Sequence, residues 1–192
     1  LMQTNAARVI VLDLSRSMLA QDLKPTRIER ARFKVEDILA KDEEGLTGLV
    51  VFAGDAFTVT PLTRDTETIK AQLRALEPAI MPSQGSRADL GLQQALDLLQ
   101  QAGVTRGQII LIADGVEGDL ATDAAEQITR AGHRVSVLGV GTAEGAPLYD
   151  ARGNRLQDNH GNPVIVSLDT DSLRRVALAG SGLYRQMTTA NS

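Results

Sequence analysis

The chain has 192 residues, 43% of them hydrophobic and 23% charged, with a formal net charge of −4. That is enough for one medium α/β domain with a full core, and the acidic balance disfavours phosphate-rich partners such as nucleic acid. Cys and Trp are absent and only two His occur, His133 and His160, which excludes disulfides, a thiolate nucleophile and Cys-ligated zinc and leaves little material for a His-based site.

The chain opens on a β-branched run, Arg8–Leu12, that reads as a buried strand. It turns polar at once, with Asp13, Ser15 and Ser17 at alternate positions and Asp22 nearby. Thr26 followed by Glu29 is a capping-box pattern opening a helix that ends near Gly45, its apolar face supplied by Ile28, Ala31, Phe33, Val35, Ile38 and Leu39. Strands are predicted at Leu46–Gly54 and Ala56–Leu62. The tight Gly54-Asp55 link makes them a hairpin, with the second strand antiparallel at an edge. A helix follows over Asp65–Leu76, then a Pro/Gly/Ser loop, then an amphipathic helix over Ala88–Gly103 that stops at its glycine.

Gln108–Asp114 reads as a strand ending in an acid, 120–132 as a helix and Arg134–Gly141 as a buried strand. His133, just before that strand, and His160, in a turn, are expected at the surface. Residues 147–167 break the rhythm with Gly-Asn turn signals between short β-like runs, as an inserted β-hairpin would. A last helix over 169–180 and a strand over 182–188 complete the pattern. The alternation implies a doubly wound α/β fold: a mostly parallel central sheet, one antiparallel edge strand and helices on both faces. With no internal repeat or linker apparent, residues 1–192 read as a single domain. No apolar run is long enough to span a bilayer and no signal peptide is evident. The abrupt start at Leu1 is that expected of a domain excised from a longer protein.

Ligands of such sheets sit at the carboxyl ends of the strands. Three oxygen-bearing clusters fall there: Asp13 with Ser15 and Ser17, Asp114-Gly115, and the loop holding Ser83, Gly85 and Ser86. Carboxylates with hydroxyls suit Mg²⁺, Mn²⁺ or Ca²⁺ rather than zinc or copper. Each cluster also has a plainer reading, as turn formers or helix caps, and Ser86 as the N-cap of the helix at Ala88.

The stretch "DLSRS" at Asp13–Ser17 resembles the Asp-x-Ser-x-Ser motif of von Willebrand factor A domains, which defines their metal-ion-dependent adhesion site. Asp114 in "LIADG" is similar to the acid of that family's later strand end. Ser86 in "QGSRADLG" stands where the family more often has Thr, with Ser83 as the substitute. The resemblance implies a Rossmann-like fold and no catalysis. It implies a metal held by Asp13, Ser15, Ser17, Ser86 and Asp114: the hydroxyls in direct contact, the acids mainly through water. A partner's Glu or Asp would complete the shell, with Arg16, Met18 and Leu19 as the partner-binding rim. Asp89, Glu117 and Asp119 are expected outside the metal's first shell. In relatives, metal coordination is coupled to displacement of the last helix, here Thr170–Ala179.

Within the family, "DLSRSMLAQDLKPTRIERAR" and "GSGLYRQMT" look most like bacterial Bat (aerotolerance) members. Those are anchored in the inner membrane with the domain on the extracytoplasmic, periplasmic side, and are associated with MoxR-type AAA+ ATPases. Two alternatives stand beside this reading. One is a haloacid-dehalogenase-type phosphotransfer enzyme with Asp13 as nucleophile, which asks for a second acid where Ser15 stands, and for a Lys. The other is a metal-free interaction domain with a degenerate site.

Overall fold

The computed structural model describes residues 6–41 and 45–187. Among these, six strands form one sheet in the order β3-β2-β1-β4-β5-β8. The strands are β1 (Ala7–Asp13), β2 (Leu46–Phe52), β3 (Ala56–Thr63), β4 (Gln108–Ala113), β5 (Arg134–Gly139) and β8 (Ser181–Gln186). Every neighbouring pair is parallel except β2 with β3, the edge hairpin. The expected final residue of the last strand, Thr188, lies outside the described residues.

Alternation along β1 divides the core. Val9 and Val11 face α3 (Ala88–Gln101), α4 (Leu120–Arg130) and α5 (Thr170–Ala179). Ile10 and Leu12 face α1 (Arg27–Lys41) and α2 (Thr66–Leu73). Helix α1 starts where expected, the Glu29 N–H donating to Thr26 Oγ1 at 3.2 Å. It buries Ile28, Ala31, Val35 and Leu39. Phe33, expected on that face, is 53% exposed: five residues beyond Ile28, it points roughly 140° away from the buried stripe.

Strand β1 passes through α1 to β2 on one side, while β4 lies on its other side. The strand order therefore reverses between β1 and β4. In register Leu12 pairs with Ile112, so Asp13 and Asp114 leave the sheet side by side, at the topological switch point where open α/β sheets bind ligands.

The insertion is an ordered arm. It is closed by β6 (Ala146–Pro147) pairing antiparallel with β7 (Ile165–Val166). Inside it lies a repeat that the expectation of none overlooked: Leu148-x-Asp150-x-x-Gly153-Asn154 recurs eight residues on as Leu156-x-Asp158-x-x-Gly161-Asn162. Both turns close alike. Asp150 Oδ1 accepts from the Arg152 and Asn154 N–H groups, each at 2.9 Å, and Asp158 Oδ1 from His160 and Asn162 at 2.8 and 3.0 Å. Leu148, Leu156 and Val164 then bond in a cycle. Leu156 donates to Leu148, Val164 to Leu156 and Leu148 back to Val164, at 2.9, 2.9 and 3.3 Å.

His133 is a further correction, being buried rather than at the surface. It packs where the turn into β5 meets the start of β4, and its Nδ1 accepts from the Gly107 N–H at 2.7 Å. His160 is exposed.

Candidate cation site at the ends of β1 and β4

Asp13 ends β1 with no solvent exposure. Its Oδ1 accepts the Ser15 N–H at 2.7 Å, an Asx-type bond that turns the chain off the sheet. The same turn brings the Ser15 and Ser17 hydroxyls to 3.0 Å. Ser15 stands at the N-cap of the 3₁₀ turn Arg16–Leu19, yet its side chain caps nothing. Asp13 Oδ2 is buried with no hydrogen-bond partner. Burial first, and then the nearby negative charge of Asp114, push the Asp13 carboxyl well above the usual carboxylate range.

Asp114 follows β4 directly and is largely buried. It lines, with Ser17, Ser86, Gly115, Val116, Glu117, Val166, Ser167 and Asp169, a cavity of about 270 Å³. Asp13 and Ser15 do not themselves line this cavity; Ser15 connects to it through the hydroxyl contact with Ser17, and Asp13 through the Ser15 N–H. Ser86 is delivered by Gly85, whose φ of +142° suits glycine and whose missing side chain lets the loop abut Gly54; a Cβ there would lie 3.0 Å from Gly54 Cα. Ser86 does not cap α3, where Arg87 is the N-cap residue. Ser83 is exposed and absent from the cavity wall, its carbonyl accepting the Gly54 N–H at 3.1 Å.

The rim differs from expectation in one residue. Arg16 and Leu19 are exposed, but Met18 is fully buried in the core with α1 and α2 and cannot face a partner. Asp89 is tied by Arg87 through two bonds of 2.9 Å, and Asp119 lies at the N-terminus of α4. The cavity lining contains no lysine, the residue that the phosphotransfer alternative asks for.

Arg27 was not anticipated at the site. It is completely buried and donates to Asp114 Oδ2 at 3.0 Å and to Asp22 through two bonds of 2.7 Å. The sequence carries only a faint signal of it, an arginine one residue past an N-cap and five after an acid. Arginines seldom lie fully buried unless paired.

The residues fit a hard divalent cation. A buried carboxylate oxygen without a donor is costly and calls for a proton or a cation. The Ser15 hydroxyl, unused by capping, and the Ser17 hydroxyl lie in the same turn, and a second acid, Asp114, lines the adjoining cavity. Among the described residues no three acids or histidines are grouped so that they alone could hold a metal ion. A cation here would keep few protein charges and several waters, as Mg²⁺ prefers.

The family model of the von Willebrand factor type A domain matches residues 8–117, a span that contains all five of these oxygen donors. The chain is similar to the conserved hypothetical protein BatB from Bacteroides thetaiotaomicron, at 35% identity and TM-score 0.89 over 97% of this chain and 92% of that one. It is also similar to an aerotolerance-related membrane protein from Bacteroides fragilis, at 34% identity and TM-score 0.88 over 97% and 93% of the two chains. Among curated relatives, a UPF0353 protein of Nocardia farcinica is 28% identical over 205 residues, covering 95% of this chain and 58% of that protein. The chain thus spans little more than half the length of that relative.

Proposed function

The chain belongs to the von Willebrand factor type A domain family, and from that premise we propose that it is a divalent-cation-dependent protein-recognition domain. Domains of this family and Bat-like proteins are generally interaction modules. The observation that carries the finer reading is the unpartnered, buried Asp13 Oδ2 in the same turn as the Ser15 and Ser17 hydroxyls, which bond to each other.

Ser15, Ser17 and Ser86 would hold Mg²⁺ directly, or Mn²⁺ or Ca²⁺ in its place, and Asp13 and Asp114 mainly through water. When bound, the cation supplies a hard, electropositive position for a partner's Asp or Glu. The protein's part is to orient. The Ser15 N–H fixes Asp13, and Gly85 brings Ser86 to the wall. Asp13 and Asp114 are buried, so that an ionic contact beside them is stronger than on an open surface. Arg16 and Leu19 flank the seat as the part of the rim open to a partner.

The Bat-like relatives support a coarser placement: this is a bacterial aerotolerance-type domain, and one such relative is a membrane protein. Among the described residues no helix is long and apolar enough to cross a membrane. We extend the proposal to a parent anchored in the inner membrane, with this domain on the periplasmic side and a MoxR-type AAA+ ATPase in the same system.

The test is calorimetric titration of the metal-stripped domain with Mg²⁺ and Mn²⁺, beside Asp13→Ala and a Ser15→Ala/Ser17→Ala double variant. One-site saturable binding, lost in both folded variants, is the expected result. No binding by the wild type, or binding retained in both variants, overturns the proposal.

A further inference from the structure

The guanidinium of Arg27 is a junction of three separate parts of the chain. Nε and Nη2 donate to Asp22, Nη1 to Asp114 Oδ2, and Nη2 also to the Val166 carbonyl at 2.7 Å. Asp22 Oδ2 in turn accepts both the N–H and the hydroxyl of Thr142, each at 2.9 Å. Thr142 lies just before the arm and Val166 ends its second strand. One buried cation and its counter-ion therefore grip both roots of the arm and an acid of the cavity wall.

The surroundings are built for this contact. Gly141, with φ of +130°, lies against the guanidinium, and a Cβ there would come within 2.9 Å of Arg27 Cζ. The backbone closes the same ring, Leu168 N–H donating to the Thr142 carbonyl and Asp169 N–H to the Asp114 carbonyl, both at 2.9 Å. Burial works against the charge of Arg27, but its bonds to Asp22 and the charges of Asp114 and Asp22 outweigh it, so the guanidinium stays protonated. A fully buried ion pair of this kind contributes geometry more surely than stability.

We infer that Arg27 is a positioning residue that joins the cation seat and the arm into one unit, so that a change at Asp114 is felt at both roots of the arm. This rests on the proposed function for the meaning of the seat, but the coupling itself needs no metal. It makes the arm the second half of the recognition surface: Val166 and Ser167 already line the cavity, and the arm beyond them carries the exposed Tyr149, Arg152, Arg155 and His160.

Amide hydrogen exchange of the metal-free domain tests it, comparing wild type, Asp114→Ala and Asp13→Asn. Both substitutions alter the seat, but only Asp114 touches Arg27. The amides to follow are Thr142, Gly145, Leu148 and Leu168, all hydrogen-bonded at or near the roots. Asp114→Ala is expected to speed their exchange roughly tenfold or more, as loss of a hydrogen bond to a charged group would, while Asp13→Asn leaves them at the wild-type rate. Unchanged rates in Asp114→Ala, or equal acceleration in both variants, overturns the inference. If Asp114→Ala loses its cooperative unfolding, Asp114→Asn is read in its place by the same criteria. A parallel wild-type sample titrated with Mg²⁺ separates the two claims: absence of Mg²⁺ binding overturns the cation-dependent function, whereas the metal-free comparison decides the coupling.

Discussion

Asp13 and Arg27 are both buried and charged by type, and the chain treats them differently. Arg27 has an acceptor for each of its faces, whereas Asp13 keeps one oxygen without a donor. Among the described residues that oxygen and the Tyr184 hydroxyl are the buried side-chain polar atoms without a partner, and it is the Asp13 oxygen, of a carboxylate in the same turn as two hydroxyls, on which the proposed cation seat rests. His133 shows the ordinary case. Its Nδ1 must be unprotonated to accept from Gly107, and burial lowers its pKa from 6.5. The unfolded chain therefore binds the proton more readily. The stability contributed by neutral His133 is present above pH 6.5 and is lost as pH falls through the folded value. Urea unfolding of wild type and His133→Asn, whose amide oxygen can still accept from Gly107, is compared at pH 7.5 and pH 5. Asp13, held above the usual carboxylate range, adds stability on acidification equally in both proteins, so going to pH 5 is expected to be less favourable for the wild type than for His133→Asn; an equal change in the two would contradict this.

At the scale of elements, packing is set by small residues as much as by large ones. Gly91 lies on the buried face of α3, where a Cβ would come within 2.7 Å of Val11 Cγ1 and 3.0 Å of the Phe52 ring. Gly91→Ala is expected to destabilise the domain by about 1–3 kcal/mol through overpacking, despite alanine's better helix propensity; a chemical denaturation midpoint at or above wild type would contradict this. The elements themselves were legible because period and punctuation agree. The capping box at Thr26, the glycines after α3 and α4, and the two-residue link before β3 place helices and strands within a few residues. The misplaced residues share a cause. Met18 and His133 lie in short connections, where no periodicity indicates which side is inward. Phe33 was assigned to the core by its type against its helical angle. The arm's repeat was readable from eight-residue spacing, but its cyclic bonding involves pairs up to sixteen residues apart.

The whole molecule places these parts by topology. Strand order reverses between β1 and β4, so the acids ending those strands come together although a hundred residues separate them in sequence. The candidate donor set was legible because its motif is local at Asp13–Ser17 and because strand ends point to one side of such a sheet. What was not legible is the buried chain Asp22–Arg27–Asp114, since its members come from the loop after β1, the start of α1 and the end of β4, and its arginine occupies a position where one would normally face water. The arm rises from the same edge of the sheet, which puts the seat and the insertion on one surface.

Anomalous diffraction from crystals of the domain grown with Mn²⁺ addresses the seat most directly. A single strong peak is expected about 2.1–2.2 Å from the Ser15, Ser17 and Ser86 hydroxyls, with Asp13 and Asp114 close by. A peak elsewhere, on Glu117 or on the acids of the arm, or no peak under saturating Mn²⁺, would contradict it.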